Sequence, residues 1–156
     1  MNNNDFKADL ADGKKAEQLY KYILLCSGIT HVVINESKVY RILQGYDLIY
    51  YINGQEVKVE VKHDRIAEQS GKFAIEARYN GKDSGISITK AKYYAILKEN
   101  IFYVIKTEKL KQLIESNQYR CIESKNATTF FYLVDCIDVA MYGKTININD
   151  VINRYN

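Results

Sequence analysis

The chain has 156 residues, of which 47% are hydrophobic and 26% charged, so it is long enough for a proper core and has a globular composition. No apolar run approaches a membrane span, and the polar residues 1–5 lack the basic region of a signal peptide, so we expect a cytoplasmic protein with no membrane partner. The net charge of +3 permits a polyanionic partner without requiring one.

The cysteines also indicate an intracellular chain. Cys26, Cys121 and Cys136 are an odd number without metal-ligand spacing, which predicts free buried thiols in a reducing compartment. Asn126-Ala127-Thr128 has the form of an N-glycosylation acceptor, which is irrelevant in an intracellular protein.

An amphipathic helix is predicted first. Asp12 is a suitable N-cap, and Gly28 is a natural end. Between them lies an apolar stripe at helical spacing, made of Ala16, Leu19, Tyr20, Ile23 and Leu24. Residues 30–34 are β-prone, and residues 38–43 are ambiguous.

A β-hairpin comes next. Residues 47–52 are rich in β-branched and aromatic side chains, Asn53-Gly54 is the strongest short turn signal, and residues 56–62 alternate polar and apolar. A two-residue turn pairs Ile52 with Gln55 and sets Asp47 directly opposite Glu60, with Cβ atoms roughly 4.5–5.5 Å apart. Lys62 then projects from the same face, because it is two residues beyond Glu60.

The rest of the chain predicts an α/β order. We expect a polar turn at 63–72, a third strand at 73–79 and a loop at 80–85. A second helix is predicted to begin at Thr89, with Ile88 and Tyr93 at hydrophobic-staple spacing. The remaining elements are a buried central strand at 101–105, a helix at 108–116 capped by Thr107, a strand at 130–136 and a helix at 149–155. One α/β domain is the simplest interpretation.

The hairpin predicts a metal site. Two facing carboxylates repel unless a cation or a shared proton holds them. Mg²⁺ held by Asp47, Glu60 and the carbonyl of Val61, with Lys62 to orient or deprotonate a water, is the arrangement of metal-dependent phosphodiester hydrolysis. The alternative is that Glu60 and Lys62 belong to a solvated strand face with ordinary cross-strand charge pairing. The register and the position of Asp47 after Gly45 favour the site.

Two further acids are candidates. Glu17 borders the buried face of the first helix and would be an extra ligand, or else an exposed partner of Lys21 at i+4. Glu76 lies in the middle of the third strand and faces either the same site or water.

A phosphate-binding cluster is predicted around the helix expected at Thr89. Ser84, Thr89, Lys90 and Lys92 surround its N-terminus, where free N–H groups and the helix dipole favour DNA phosphate. A capped surface helix explains each of these residues singly at least as well. His63, next to Lys62, approaches the scissile bond or is a loop residue.

These residues give the chain a family resemblance. Gly45-Tyr46-Asp47, twelve intervening residues and then Glu60-Val61-Lys62 resemble the motif of the PD-(D/E)XK nuclease superfamily, with Tyr46 in place of the proline of that name. Glu17 matches the acidic residue of the family's first helix. The wider stretch from Glu60 to Thr89 resembles small phage- and plasmid-encoded members.

The resemblance spans about residues 12–105 and leaves 106–156 as a C-terminal addition to a single nuclease-like domain. It implies a restriction-endonuclease-like αβββαβ core, with a mixed central sheet flanked by helices. It further implies a phage- or mobile-element-associated DNA endonuclease, restriction-like, homing or junction-resolving, that uses Mg²⁺ or Mn²⁺ and acts as a homodimer or higher homo-oligomer. Asp47, Glu60, Lys62 and Glu17 would be catalytic. The alternative is a non-catalytic DNA- or protein-binding module on the same fold.

Overall fold

The computed structural model describes residues 3–125 and 128–155, with the backbone alone for residues 3–12. Asn126 and Ala127 of the glycosylation-like tripeptide lie outside these residues. The described helices are Asn3–Cys26 (α1), Lys38–Gln44 (α2), Ile66–Ser70 (α3), Thr107–Ser116 (α4), Cys136–Tyr142 (α5) and Ile148–Tyr155 (α6), with a 3₁₀ turn at Gly85–Ser87. The described strands are Val32–Ile34 (β1), Leu48–Ile52 (β2), Gln55–His63 (β3), Lys72–Tyr79 (β4), Lys82–Asp83 (β5), Tyr93–Lys98 (β6), Ile101–Lys106 (β7), Cys121–Glu123 (β8), Thr129–Asp135 (β9) and Lys144–Asn147 (β10).

A mixed central sheet has the strand order β1-β2-β3-β6-β7-β10. Strands β3 and β6 run parallel, and the other neighbouring pairs in this sheet are antiparallel. Helices α1 and α6 cover one face, where they share a core with β3, β6 and β7. The predicted fold class, α/β with a mixed central sheet flanked by helices, is confirmed.

A second sheet covers the other face. Its order is β5-β4-β9-β8, and all its pairings are antiparallel. The predicted third strand therefore forms as β4, but it pairs with β9 instead of continuing the hairpin sheet. Phe73 and Ile75 of β4 share a core with Tyr94 and Ile96 of β6 and with helices α4 and α5.

The hairpin forms in the predicted register. Asn53 (φ 51°) and Gly54 (φ 76°) both adopt the left-handed backbone that a type I′ turn requires. Pairing runs from Ile52↔Gln55 to Leu48↔Val59. A slip of one residue would turn every side chain of β3 to the opposite face, so the turn decides which face carries Glu60.

Helix α1 buries the predicted stripe but begins earlier than predicted. Ala16, Tyr20, Ile23 and Leu24 are buried, and Leu19 packs against the same core. The helix starts at Asn3, so Asp12 lies within it and the predicted N-cap is wrong. The end is close to the prediction, because Gly28 (φ 88°) follows two residues after the last helical residue.

The helix predicted from Thr89 is wrong. Residues 93–98 form β6, which pairs in parallel with β3 and antiparallel with β7. Thr89 does bond a backbone N–H, that of Ala91 at 3.0 Å, but its hydroxyl donates to the distant Gly45 carbonyl. The short apolar run at residues 93–98 is compatible with a buried strand as well as with a helix. Its pairing with β3 makes it a strand.

Several local predictions also need correction. The turn predicted at 63–72 contains α3, and the strand predicted to Cys136 ends at Asp135, where α5 follows. The cap of α4 is Lys106, and Thr107 is the first residue of that helix. All three cysteines are free, but Cys121 is exposed and Cys26 only half-buried, so the prediction of buried thiols holds for Cys136 alone.

The ambiguous segment 38–43 forms α2, which Ser37 caps by accepting the Tyr40 N–H at 3.4 Å. The central strand predicted at 101–105 and the last helix are present as β7 and α6. Among the described helices, none is long and apolar enough to cross a membrane.

Candidate active site

Asp47 is fixed against β3 at the centre of the Glu-Val-Lys motif. Its backbone N–H donates to the Val59 carbonyl at 2.9 Å, and its carboxylate Oδ2 accepts the Val61 N–H at 2.8 Å. The ladder between β2 and β3 ends at the pair Leu48↔Val59, so Asp47 and Glu60 do not pair as ladder partners. The Asp47 carboxylate instead lies beside Glu60 because it accepts the N–H of Val61.

Glu60 and Lys62 form an ion pair on the face of β3 opposite the α1 core. Val59 and Val61 point into that core, so the residues that alternate with them point away from it. Lys62 Nζ lies 2.6 Å from Glu60 Oε1. Glu60 is 5% exposed and Asp47 6%, whereas the Lys62 side chain is 46% exposed. The ammonium thus lies where buried carboxylates meet solvent.

One carboxylate oxygen of this cluster lacks a hydrogen-bond partner. Glu60 Oε2 is buried and finds no hydrogen-bond partner within the described part of the chain. A buried carboxylate oxygen without a partner is costly, and such atoms commonly mark a missing water, ion or ligand.

The electrostatics reflect burial and crowding. Burial raises the pKa of Glu60, the Lys62 ammonium opposes that rise, and the Asp47 carboxylate adds to it. Partial desolvation of the ammonium lowers the pKa of Lys62, but the carboxylates of Glu60 and Asp47 outweigh this effect, so the pKa lies above its usual value. Lys62 is therefore charged at neutral pH, and an ammonium has donors but no acceptor for a proton.

Glu17 is buried on α1, as its place beside the apolar stripe predicted, and Arg41 links it to Asp47. It is 5% exposed, and burial raises the pKa of its carboxyl group. Its ion-pair partner is Arg41 on α2, not Lys21 on its own helix. The alternative of an exposed Glu17 paired with Lys21 is therefore wrong.

Arg41 is the residue that sequence reasoning missed. Its Nη2 contacts both Glu17 Oε1 and Asp47 Oδ1, and its Nε donates to Asp47 Oδ1 at 2.9 Å. The left-handed Gly45 ends α2 and folds this helix back beside Asp47. A guanidinium that bridges two carboxylates offsets one of their two negative charges. The ambiguous segment that holds Arg41 offered no signal of this contact.

Tyr94 was also missed. It is the parallel partner of Glu60 in β6, and its hydroxyl is buried without a partner among the residues described. Burial raises the pKa of this phenol, and the nearby carboxylates of Glu60 and Asp47 raise it further. Two unpaired polar atoms thus lie on neighbouring strands at the same level of the sheet.

The carboxylate oxygens of Asp47 and Glu60 are of the type that a hard cation binds, but they do not form a complete coordination shell. Within residues 3–125 and 128–155, no three Asp, Glu, His or Cys side chains are grouped closely enough to hold a metal together. Mg²⁺ commonly uses one or two carboxylates and keeps several waters. Asp47 and Glu60 meet that requirement. The carbonyl of Val61 points to the Asp47 side of β3, because its N–H does so.

The other three candidate residues, His63, Glu76 and Ser84, lie on separate elements. His63 is half-buried at the end of β3. Glu76 is half-buried on β4, and no described hydrogen bond or ion pair joins it to Asp47 or Glu60; its charge acts on the pKa of Tyr94. Ser84 precedes the 3₁₀ turn, and its hydroxyl is buried.

The predicted phosphate cluster has no helix of its own. Thr89 is buried, and its hydroxyl already joins Gly45 and Ala91 within the protein. Lys90 and Lys92 are exposed, in an irregular segment anchored by the bond from Lys90 N–H to the Gln44 carbonyl at 2.8 Å.

No protein-family model and no curated protein sequence matches this chain. Among solved structures, the chain is similar to a bacterial homing endonuclease, I-Ssp6803I, with a TM-score of 0.44 and 23% sequence identity. The match covers 62% of this chain and 63% of that chain. Because a similarity of this size does not establish a shared activity, the assignment of function rests on the site itself.

Proposed function

We propose that this protein is a metal-dependent DNA endonuclease that hydrolyses phosphodiester bonds at the Asp47–Glu60–Lys62 cluster. The observation that carries the proposal is the buried, unpartnered Oε2 of Glu60 beside the fixed carboxylate of Asp47. A structural ion pair would have no use for a second carboxylate and a free oxygen in so buried a position.

Asp47, Glu60 and the Val61 carbonyl would hold Mg²⁺ or Mn²⁺, with Glu17 as an additional acid. Bound there, the ion supplies Lewis-acid neutralisation of the charge that develops on a phosphodiester. Lys62 donates from the solvent edge of the site, where its ammonium orients the attacking water and offsets charge on the phosphoryl oxygens. Without a metal, the carboxylates of Glu60 and Asp47 raise the pKa of Lys62 and keep it an ammonium, which donates.

Arg41 competes with the metal in this proposal. Its guanidinium contacts the oxygens of Glu17 and Asp47 that an ion would use, so full coordination requires those contacts to open. Helix α2 can yield at modest cost, because it buries none of its own residues.

The proposed homodimer follows from the chemistry of cleavage. The residues that the structure describes form one such cluster per chain, so cutting both strands of a duplex would take two copies, which is the reason for proposing a homodimer. A phage or mobile-element origin, and a restriction-like, homing or junction-resolving role, stay predictions from the family resemblance.

A second candidate function has one observation in its favour. Arg41 satisfies Glu17 and Asp47 without a metal, as it would in a non-catalytic DNA- or protein-binding module. Metal binding separates the two functions. Mn²⁺ titrated into the protein and followed by electron paramagnetic resonance should bind at micromolar to millimolar levels and be lost in Asp47→Asn. Equal binding by Asp47→Asn, or none by the wild type, would favour the binding module.

A further inference from the structure

The lysines predicted to bind phosphate lie at a different helix N-terminus, that of α4. An open depression of about 480 Å³ lies between the start of β6, the end of β7 and the start of α4. We call it the lysine depression and define it by Lys90, Lys92, Lys106, Thr107, Glu108 and Lys111. Its charge is four lysines against one glutamate, which makes it strongly cationic.

The lysines are available to a ligand. No ion pair joins Lys90, Lys92, Lys106 or Lys111 to a carboxylate in the part of the chain that the structure describes. Their backbone is nevertheless fixed. Lys92 donates its N–H to the Lys58 carbonyl at 2.8 Å, and its own carbonyl accepts the Thr107 N–H at 3.0 Å.

Helix α4 adds polar groups to this cationic surface. This ten-residue helix has first-turn N–H groups that no intrahelical carbonyl accepts; the N–H of Thr107 donates to Lys92, and among the described residues no side chain caps the others. Thr107 is 6% exposed and lines the depression, yet its hydroxyl has no hydrogen-bond partner in the described structure. An anionic ligand at this helix N-terminus would give the hydroxyl a hydrogen-bond partner.

The depression lies close to the candidate active site along β6. Lys92 comes two residues before Tyr94, and Tyr94 is the register partner of Glu60. Two residues of strand span roughly 7 Å. An extended DNA strand whose scissile phosphate lies at Glu60 and Lys62 therefore has other phosphates within reach of the lysines.

We propose that the lysine depression binds a non-scissile backbone phosphate of the DNA substrate, at the N-terminus of α4. The inference rests on the proposed function, because it takes DNA as the substrate. Lys106 and Lys111 supply charge, while the Thr107 hydroxyl and the N–H groups of Glu108 and Lys109 supply directional donors. Glu108 lines the same depression and reduces its positive charge, so a bound phosphate must lie on the side of the lysines.

The test is DNA binding without cleavage. Anisotropy of a labelled duplex is measured in EDTA over a range of salt for wild type, Lys106→Gln/Lys111→Gln and the control Lys82→Gln/Lys144→Gln. The control removes the same charge from exposed residues outside the depression. Each lost phosphate contact lowers the magnitude of the salt slope by about 0.9, so we expect a fall of about 0.9 for the first variant, which loses one phosphate, and a smaller one for the control. Equal slopes for the two double variants would overturn the proposal.

A second measurement distinguishes DNA from a free anion. Inorganic phosphate is titrated while the amide signals of Glu108 and Lys109 are followed by NMR, with Thr107→Val alongside. We expect Thr107→Val to fold as well as wild type, since it removes an unpaired hydroxyl, and to bind phosphate and DNA several-fold more weakly. Phosphate binding combined with equal DNA slopes for both double variants would assign the depression to a free anion and overturn the proposal.

Cleavage shows which of the two proposals fails. Metal-dependent nicking by a protein whose double variants have equal salt slopes would remove the lysine depression and leave the nuclease intact. A wild type that neither binds duplex DNA nor cuts it would remove both.

Discussion

The carboxylate of Asp47 accepts the backbone N–H of Val61 at 2.8 Å, and this contact sets the acid beside Glu60. It fixes one oxygen of Asp47 on β3 and leaves the other to Arg41. The acid is thereby fixed by a backbone group, so its position depends on the hairpin register and not on a flexible partner.

Glu60→Gln should abolish cleavage while the protein stays folded. The substitution keeps the shape of the side chain but removes a buried charge that the proposed metal needs. Loss of several kcal/mol of charge stabilisation corresponds to a rate at least about 100-fold lower. Plasmid nicking and circular dichroism melting check the two parts.

The matched control is Glu56→Gln. Glu56 lies on the same strand at the same alternation and also pairs with a lysine two residues on, but it is exposed. A rate loss in Glu56→Gln equal to that in Glu60→Gln would contradict a specific role for Glu60.

Lys62→Met should lower the rate of cleavage without weakening DNA binding in EDTA. The ammonium acts on the charge that develops during the reaction, and single donors of this kind contribute roughly 10²–10³ in rate. Lys58→Met is the control, since Lys58 pairs with Glu56 at 3.3 Å on the same strand face. Single-turnover rates and anisotropy separate the two effects, and a purely structural Lys62 would affect both alike.

Arg41→Met should strengthen metal binding. Removing the guanidinium frees the oxygens of Glu17 and Asp47 and leaves their charges unbalanced, so a divalent cation gains both ligands and electrostatic attraction. We expect Mn²⁺ affinity to rise several-fold by calorimetry, with Lys38→Met on the same helix unchanged. Unaltered or weaker affinity in Arg41→Met would show that Arg41 does not compete with the ion.

Thr89→Val should destabilise the protein without changing the salt dependence of DNA binding. The hydroxyl of Thr89 joins the loop before β6 to the Gly45 carbonyl at the end of α2, and it is buried. Losing it leaves that carbonyl unpaired, which costs about 1–3 kcal/mol. Urea unfolding measures the loss, and Thr89→Ser should restore most of it. A changed salt slope at full stability would return Thr89 to the DNA interface.

The hairpin and its acids could be predicted from local sequence. Asn53-Gly54 determines the turn, and the alternation along β3 determines which side chains share a face, so Glu60 and Lys62 followed directly. The position of Glu17 could be predicted because its place on α1 depends on helical spacing alone.

The missed features depend on contacts between distant segments. Residues 93–98 have an apolar run that fits two structures, and only the pairing with β3 decides between them. Arg41 reaches Glu17 across 24 positions of sequence, which no local pattern reports. The second sheet likewise depends on the pairing of β4 with β9. These strands are far apart in the sequence, and no turn between them sets their register.

The most direct test is a gel assay of the purified protein on supercoiled plasmid, linear duplex, single strands and a four-way junction. Each substrate is incubated with Mg²⁺, with Mn²⁺ or with EDTA, and with Glu60→Gln and Glu56→Gln in parallel. We predict cleavage that requires the metal, is lost in Glu60→Gln and persists in Glu56→Gln. Cleavage that survives in EDTA or in Glu60→Gln would contradict it.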